Sequence, residues 1–253
     1  MTGPGAALRV RQGGAGDPVL LLLHGLGATG DVWNGLEERL PGRWPGRWVT
    51  PDLPGHGRSA PLPEYSFERL AAAVAQAVPP ASRVAVLGHS MGGVVALALA
   101  AGSIGVPVTA VCGLGIKVVW TAEELARARA LSTRPNSLYP TRSEAAERHL
   151  KVAGLQGLLA PDAVPDAALL RDASGWRLAF DPALFGIGAP DMPSLLGGSR
   201  ALVILAAGER DPMCREDQLH RLVPDPVIVP GLGHNAHVED PRALLPLLQR
   251  LAE

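Results

Sequence analysis

Cysteine is scarce in this chain: among 253 residues there are two, Cys112 and Cys214. Two thiols build neither a disulfide framework nor a four-cysteine zinc site, and their expected state is reduced and buried. An excess of either charge is also missing. The 23 Lys and Arg face 24 Asp and Glu, a formal net charge of −1. The chain therefore lacks the basic footprint that nucleic acid or an anionic membrane surface demands. Lysine is almost absent, with Lys117 and Lys151 the only two; arginine replaces it throughout, which reads as genome composition rather than a binding patch. Metal and cofactor signatures are wanting too. The histidines contain no H-E-x-x-H, and the close pair His234 and His237 has no further His or Cys nearby, so no metal is expected. No G-x-G-x-x-G opens a helix after the first aliphatic run, and no cofactor is expected. The N-terminal stretch MTGPGAALRVRQGGAGD lacks an apolar h-region, so no signal peptide is read there. Met91–Ile116 is uncharged over a bilayer-spanning length. Gly102-Ser103, Gly105 and Pro107 break it, and it reads as a buried helix followed by a buried strand. The expectation is a soluble cytoplasmic protein with a small-molecule substrate, no membrane or nucleic-acid partner, and an open oligomeric state.

What is present is an ordinary globular balance, 47% hydrophobic to 19% charged, with enough chain to bury a large core. Short aliphatic runs recur at Val19–Leu23, Trp48–Thr50, Val84–Leu87, Val106–Cys112, Ala201–Ala206 and Val227–Val229. They show no in/out alternation, which suits strands buried on both faces of a parallel sheet. Helical patterns lie between them: Trp33–Leu40, Phe67–Val78, Met91–Ala101 and the leucine-striped Pro241–Ala252. That alternation predicts an α/β fold with helices on both faces of a mostly parallel sheet. Ala6–Arg11 is expected as an antiparallel edge strand. From Lys117 to Ser199 the rhythm stops, and no aliphatic strand run is read. Helical segments are expected at Thr121–Leu131, Thr141–Val152 and Asp166–Ala173, the first two opened by the capping boxes Thr121-x-x-Glu124 and Thr141-x-x-Glu144. The expected organisation is a core in two pieces, 1–116 and 200–253, interrupted by a helical insertion over 117–199.

Gly88-His89-Ser90-Met91-Gly92 is a G-x-S-x-G standing between an aliphatic run and a helix. A nucleophile on so sharp a strand-to-helix turn needs strained backbone angles, and the flanking glycines leave room for neighbouring backbone. A serine hydroxyl is a weak nucleophile and needs a base held by an acid. Asp211 follows the run Ala201–Ala206, and His234 follows Val227–Val229. Both thus fall at carboxyl ends of expected strands, the edge where α/β sheets bind ligands. Asp211 has rivals in Glu209, Asp217 and Asp191; it is preferred because a residue beyond the strand reaches across the edge. His234 is preferred to His237, which is expected beside the site or at a helix start, because Gly231 and Gly233 free the loop that aims His234. An oxyanion requires two backbone N–H donors, assigned to Met91 and to Leu26 in His24-Gly25-Leu26-Gly27. His24 is read as a structural brace of that loop, and Asp52, His56 and Arg58 as a hydrogen-bonded brace of the next.

With these pieces the chain resembles the α/β-hydrolase superfamily over essentially its whole length. The matching segments are His24–Gly27, Asp52-Leu53-Pro54-Gly55-His56-Gly57-Arg58-Ser59, Gly88-His89-Ser90-Met91-Gly92-Gly93, Gly208–Asp211 and Gly233-His234. The resemblance implies Ser90 as nucleophile, His234 as base, Asp211 as its partner, and the 117–199 insertion as a cap. Serine rather than aspartate at position 90 disfavours dehalogenase or epoxide-hydrolase chemistry. The His234 and Asp211 loops also resemble those of the menaquinone-pathway SHCHC synthase. That enzyme uses such a triad as an elimination base on a multiply anionic substrate, for which Lys117, Arg127, Arg129 and Arg177 are the obvious cap cations here.

The leading expectation is a serine hydrolase that cleaves an ester or related activated acyl bond of a small organic molecule through an acyl-enzyme on Ser90. Trp120, Trp176, Phe180 and Phe185 are candidates to line an apolar pocket, against the alternative that they pack the cap's own core. The competing expectations are lyase or C–C bond chemistry with the triad as base, and a non-catalytic ligand-binding protein on the same fold.

Overall fold

The computed structural model describes residues 7–102 and 104–253. In chain order its strands are β1 (Val10–Gly13), β2 (Val19–Leu23), β3 (Trp48–Pro51), β4 (Val84–His89), β5 (Val108–Leu114), β6 (Leu169–Asp172), β7 (Gly175–Leu178), β8 (Leu202–Gly208) and β9 (Val227–Val229). Seven of these form one sheet in the order β1-β3-β2-β4-β5-β8-β9. β1 runs antiparallel to β3 and every other pairing is parallel. The helices are α1 (Asn34–Glu37), α2 (Phe67–Ala75), α3 (Met91–Ala100), α4 (Ala122–Ser132), α5 (Arg142–Val152), α6 (Met192–Gly198), α7 (Glu216–Leu219), α8 (Ala236–Glu239) and α9 (Leu245–Ala252). No helix among the described residues is long and apolar enough to cross a membrane.

The aliphatic runs form strands because both their faces are covered. Along β2, Val19, Leu21 and Leu23 enter one core with α2 and α3, while Leu20 and Leu22 enter another with α9. Along β4, Val84 and Val86 face the first core, Ala85 and Leu87 the second. All ten residues of α3 are buried. A helix with no polar face cannot sit at a surface; this one packs against the sheet, α2 and α6. The two cysteines are free and buried.

Three expectations need correction. The edge strand lies at Val10–Gly13, later than the expected Ala6–Arg11, of which Ala6 falls outside the described residues. Asp166–Ala173 is not a helix: a single 3-10 turn, Asp166–Ala168, leads into β6, which pairs antiparallel with β7. The region between β5 and β8, expected as a helical insertion without an aliphatic strand run, therefore holds a short two-stranded hairpin beside its helices α4, α5 and α6. The hairpin closes because the Asp172 carboxylate accepts the Ser174 N–H at 2.8 Å, an Asx turn that stops a helix. Leu169 and Leu178 then turn inward beside α5. Local helix formers yield here to tertiary pairing.

Candidate active site

Ser90 caps β4 and precedes α3. Its backbone has φ 50°, the one positive value for a non-glycine among the described residues. Such angles cost energy and persist where the surroundings enforce them. Enforcement is visible: the Ser90 N–H donates to Leu114 O at 2.8 Å, and the Ser90 carbonyl accepts the Gly93 N–H at 2.9 Å. The turn closes only with glycine on either side. A Cβ on Gly88 would meet Gly92 O at 2.3 Å, and one on Gly92 would meet His24 O at 2.4 Å.

Asp211 lies just beyond β8, its side chain fully buried. Its Oδ1 accepts the N–H groups of Met213 and Cys214 at 2.8 and 3.2 Å, and its Oδ2 lies 2.9 Å from Nδ1 of His234. A carboxylate only accepts, so that Nδ1 carries the proton and Nε2 is left to act as a base. Ser90 and His234 both line one cavity of about 370 Å³. No hydrogen bond joins the Ser90 hydroxyl to the imidazole among the described residues; such contacts often tighten only when substrate is present. The rivals are occupied elsewhere. Glu209 accepts the Gly231 N–H at the surface, Asp217 pairs with Arg215 and Arg221, and Asp191 caps α6.

Leu26 and Met91 line the same cavity. Neither of their N–H groups meets an acceptor among the described residues, whereas the next two in the Leu26 loop do: Gly27 N–H donates to His56 Nε2 at 3.0 Å and Ala28 N–H to Gly25 O at 3.2 Å. Two free donors on residues that line the cavity with Ser90 suit a developing oxyanion. The loops behind them are braced by uncharged imidazoles. His24 accepts the Leu53 N–H on Nε2 at 2.8 Å and donates from Nδ1 to Gly25 O. Burial pushes the pKa of His24 down and that of His56 well down. The buried Asp52 accepts the N–H groups of Gly30 and Arg58. Arg58 joins this brace through its backbone only; its guanidinium donates to Asp166 O beyond β5.

The cavity wall includes Trp120 and Phe185 but not Trp176 or Phe180, which corrects two of the four aromatic candidates. Trp176 belongs to β7, packs on the α5–β6 core and has the Arg171 guanidinium 5.5 Å over its ring. Phe180 is held between the rings of His56 and Phe185, 5.2 Å from each. Lys117 and Arg127 line the cavity and each has its own counter-ion, Glu124 and Glu123. His237 lies in α8 beside the site, its ring 4.2 Å from that of His89 and 4.6 Å from Trp33. Two contacts escaped the sequence reading. His89 Nε2 lies 2.8 Å from His234 O, and Asn235 Nδ2 donates to Gly154 O at the end of α5. Adjacency to Ser90 and His234 was the only signal for either.

Comparison with known proteins places the fold. A stretch of 81 residues, 32% of this chain and 30% of its relative's length, is 44% identical to the pimeloyl-[acyl-carrier protein] methyl ester esterase of Methylococcus capsulatus. Among solved structures, the thioesterase domain from the curacin biosynthetic pathway aligns over 98% of this chain and 97% of its own, with a TM-score of 0.78 and 21% identity. E-2-(Acetamidomethylene)succinate hydrolase aligns over 97% and 95%, with a TM-score of 0.74 and 22% identity. The model of the alpha/beta hydrolase family matches residues 20–247, and the chain belongs to that family.

Proposed function

We propose that this protein is a serine hydrolase cleaving carboxylic esters or thioesters of small, largely apolar acyl groups. The observation that carries the reading is the buried Asp211 bonded to a His234 that shares one cavity with the strained Ser90. In the proposed reaction Ser90 Oγ attacks the acyl carbon while His234 Nε2 takes its proton. The N–H groups of Leu26 and Met91 stabilise the oxyanion. The tetrahedral intermediate collapses, and the alcohol or thiol leaves with the proton from His234. Water, deprotonated by the same nitrogen, then releases the acid and restores Ser90. Residues 117–199 serve as the cap, since α4 and the 3-10 turn Pro182–Ile187 supply wall residues such as Leu125, Leu131 and Phe185. The methyl ester esterase and the thioesterase domain that the chain resembles support acyl transfer to water.

The internal pairing of Lys117 and Arg127 argues against a multiply anionic substrate, and thus against the elimination chemistry that the His234 and Asp211 loops suggested. The test is hydrolysis of p-nitrophenyl esters of short and medium chain length. Ser90→Ala is expected to lower kcat by a factor on the order of 10⁴–10⁶; unchanged turnover in that variant rejects the mechanism.

A further inference from the structure

His89, the residue preceding Ser90, has no task in the reaction just described. It is buried, and nucleophilic attack requires no imidazole there. Its ring nevertheless meets three parts of the site. Nε2 stands 2.8 Å from the carbonyl oxygen of His234; a carbonyl only accepts, so this nitrogen carries the ring proton. Nδ1 faces the Gly25 backbone, where a Cβ would come within 2.9 Å. The ring face packs on His234 and His237, at 4.7 and 4.2 Å between centroids. Burial, with His237 and His234 close by, holds the pKa well below the ordinary histidine value, so the ring stays neutral.

We propose that His89 is a positioning residue, tying the backbone of the base to the turn that carries the nucleophile. The proposal rests on the hydrolase reading above. Asp211 orients the His234 ring, but it stands on the loop after β8 and its carboxylate makes no hydrogen bond to the Ser90 turn among the described residues. Ser90 and His234 come from separate loops. The His89 bond is the direct side-chain link between them, because His89 is the chain neighbour of Ser90. Without it the loop bearing His234 keeps its ties to Asp211 and Gly154 but loses its tie to the Ser90 turn, and a misplacement of about 1 Å at reacting groups costs on the order of 10²-fold.

Two variants separate this role from simple filling of space. His89→Phe keeps a ring but has no donor; His89→Gln retains an N–H donor. For His89→Phe, kcat is expected to fall about 10- to 100-fold with KM within about threefold. The far-downfield proton of the His234–Asp211 bond should broaden or vanish. In His89→Gln that resonance should persist and kcat should recover at least part of the loss. Wild-type kcat in His89→Phe, or equal losses in both variants, overturns the proposal. Tautomer assignment by ¹⁵N shifts in the wild-type protein tests it without any variant: Nε2–H on His89 is expected, and Nδ1–H or an imidazolium overturns it. The two readings fail separately. If Ser90→Ala abolishes turnover and His89→Phe does not affect it, only the positioning role is lost; if Ser90→Ala turns over ester like the wild type, both fall.

Discussion

Replacing Asp211 by asparagine changes one atom and should nearly extinguish turnover. The carboxylate has two sides. Oδ1 is pinned by the N–H groups of Met213 and Cys214 at 2.8 and 3.2 Å, and Oδ2 lies 2.9 Å from His234 Nδ1. An amide oxygen would keep the Oδ1 position, since both its neighbours are donors. The amide nitrogen must then face His234. It only donates, so Nδ1 has to be bare and the ring proton moves to Nε2. An imidazole in that tautomer cannot accept the Ser90 proton. The side chain is fully buried, so the amide has no solvent-facing pose that relieves the conflict. The expected loss is about 10⁴ in kcat, or about 5.4 kcal/mol of transition-state stabilisation. Both backbone hydrogen bonds survive, so stability should fall by only about 1 kcal/mol, lowering Tm by about 2–4 °C. Initial rates on p-nitrophenyl butyrate and a circular-dichroism melt measure both quantities. A variant that melts normally and retains a rate within about tenfold of wild type would refute the assignment of Asp211.

Trp120→Ala should widen the cavity and shift kcat/KM toward bulkier acyl groups by about 10-fold or more relative to butyrate. Trp176→Ala should leave that ratio within about twofold while lowering Tm, because its ring packs on the α5–β6 core; competition between acetyl, butyryl and benzoyl esters distinguishes the two. Buried histidines should make the fold acid-sensitive: burial depresses His149 to about 4 and His237 to about 3. Their unfolded pKa near 6.5 lies above the folded value, so the unfolded chain binds more protons between those limits and stability falls as pH drops from about 6.5 toward 4, by about 1.4 kcal/mol per unit for each. Melting at intervals from pH 8 to pH 4.5 should show a flat region followed by this decline; a constant Tm across that range would contradict it.

Much of this architecture was legible because it rests on burial. Val19–Leu23 and Val84–Leu87 have no polar face, and only a strand covered on both sides accommodates that pattern. The settings of the proposed hydrolytic residues were legible because a strained turn and a sheet edge constrain their surroundings: Gly88 and Gly92 leave room for the Ser90 turn, and Asp211 and His234 follow strand ends. The hairpin Leu169–Leu178 was not, since each strand is four residues long and half exposed; its one cue was the turn residues Asp172 to Gly175. Pocket aromatics were equally opaque. Trp120 and Trp176 look alike in composition, and only the pairing of β6 with β7 commits Trp176 to packing. Bracing contacts such as His56 Nε2 to Gly27 N–H and His89 Nε2 to His234 O join distant segments, and no local pattern encodes them.

The most direct examination of the central claim is a crystal structure after reaction with a p-nitrophenyl alkylphosphonate. A phosphorus–oxygen bond to Ser90 Oγ is expected, with the phosphonyl oxygen within hydrogen-bond distance of the Leu26 and Met91 N–H groups, His234 Nε2 facing the adduct and the alkyl chain beside Trp120 and Phe185. An adduct on another residue, or a Ser90 adduct with the His234 ring turned away from it, would contradict the account.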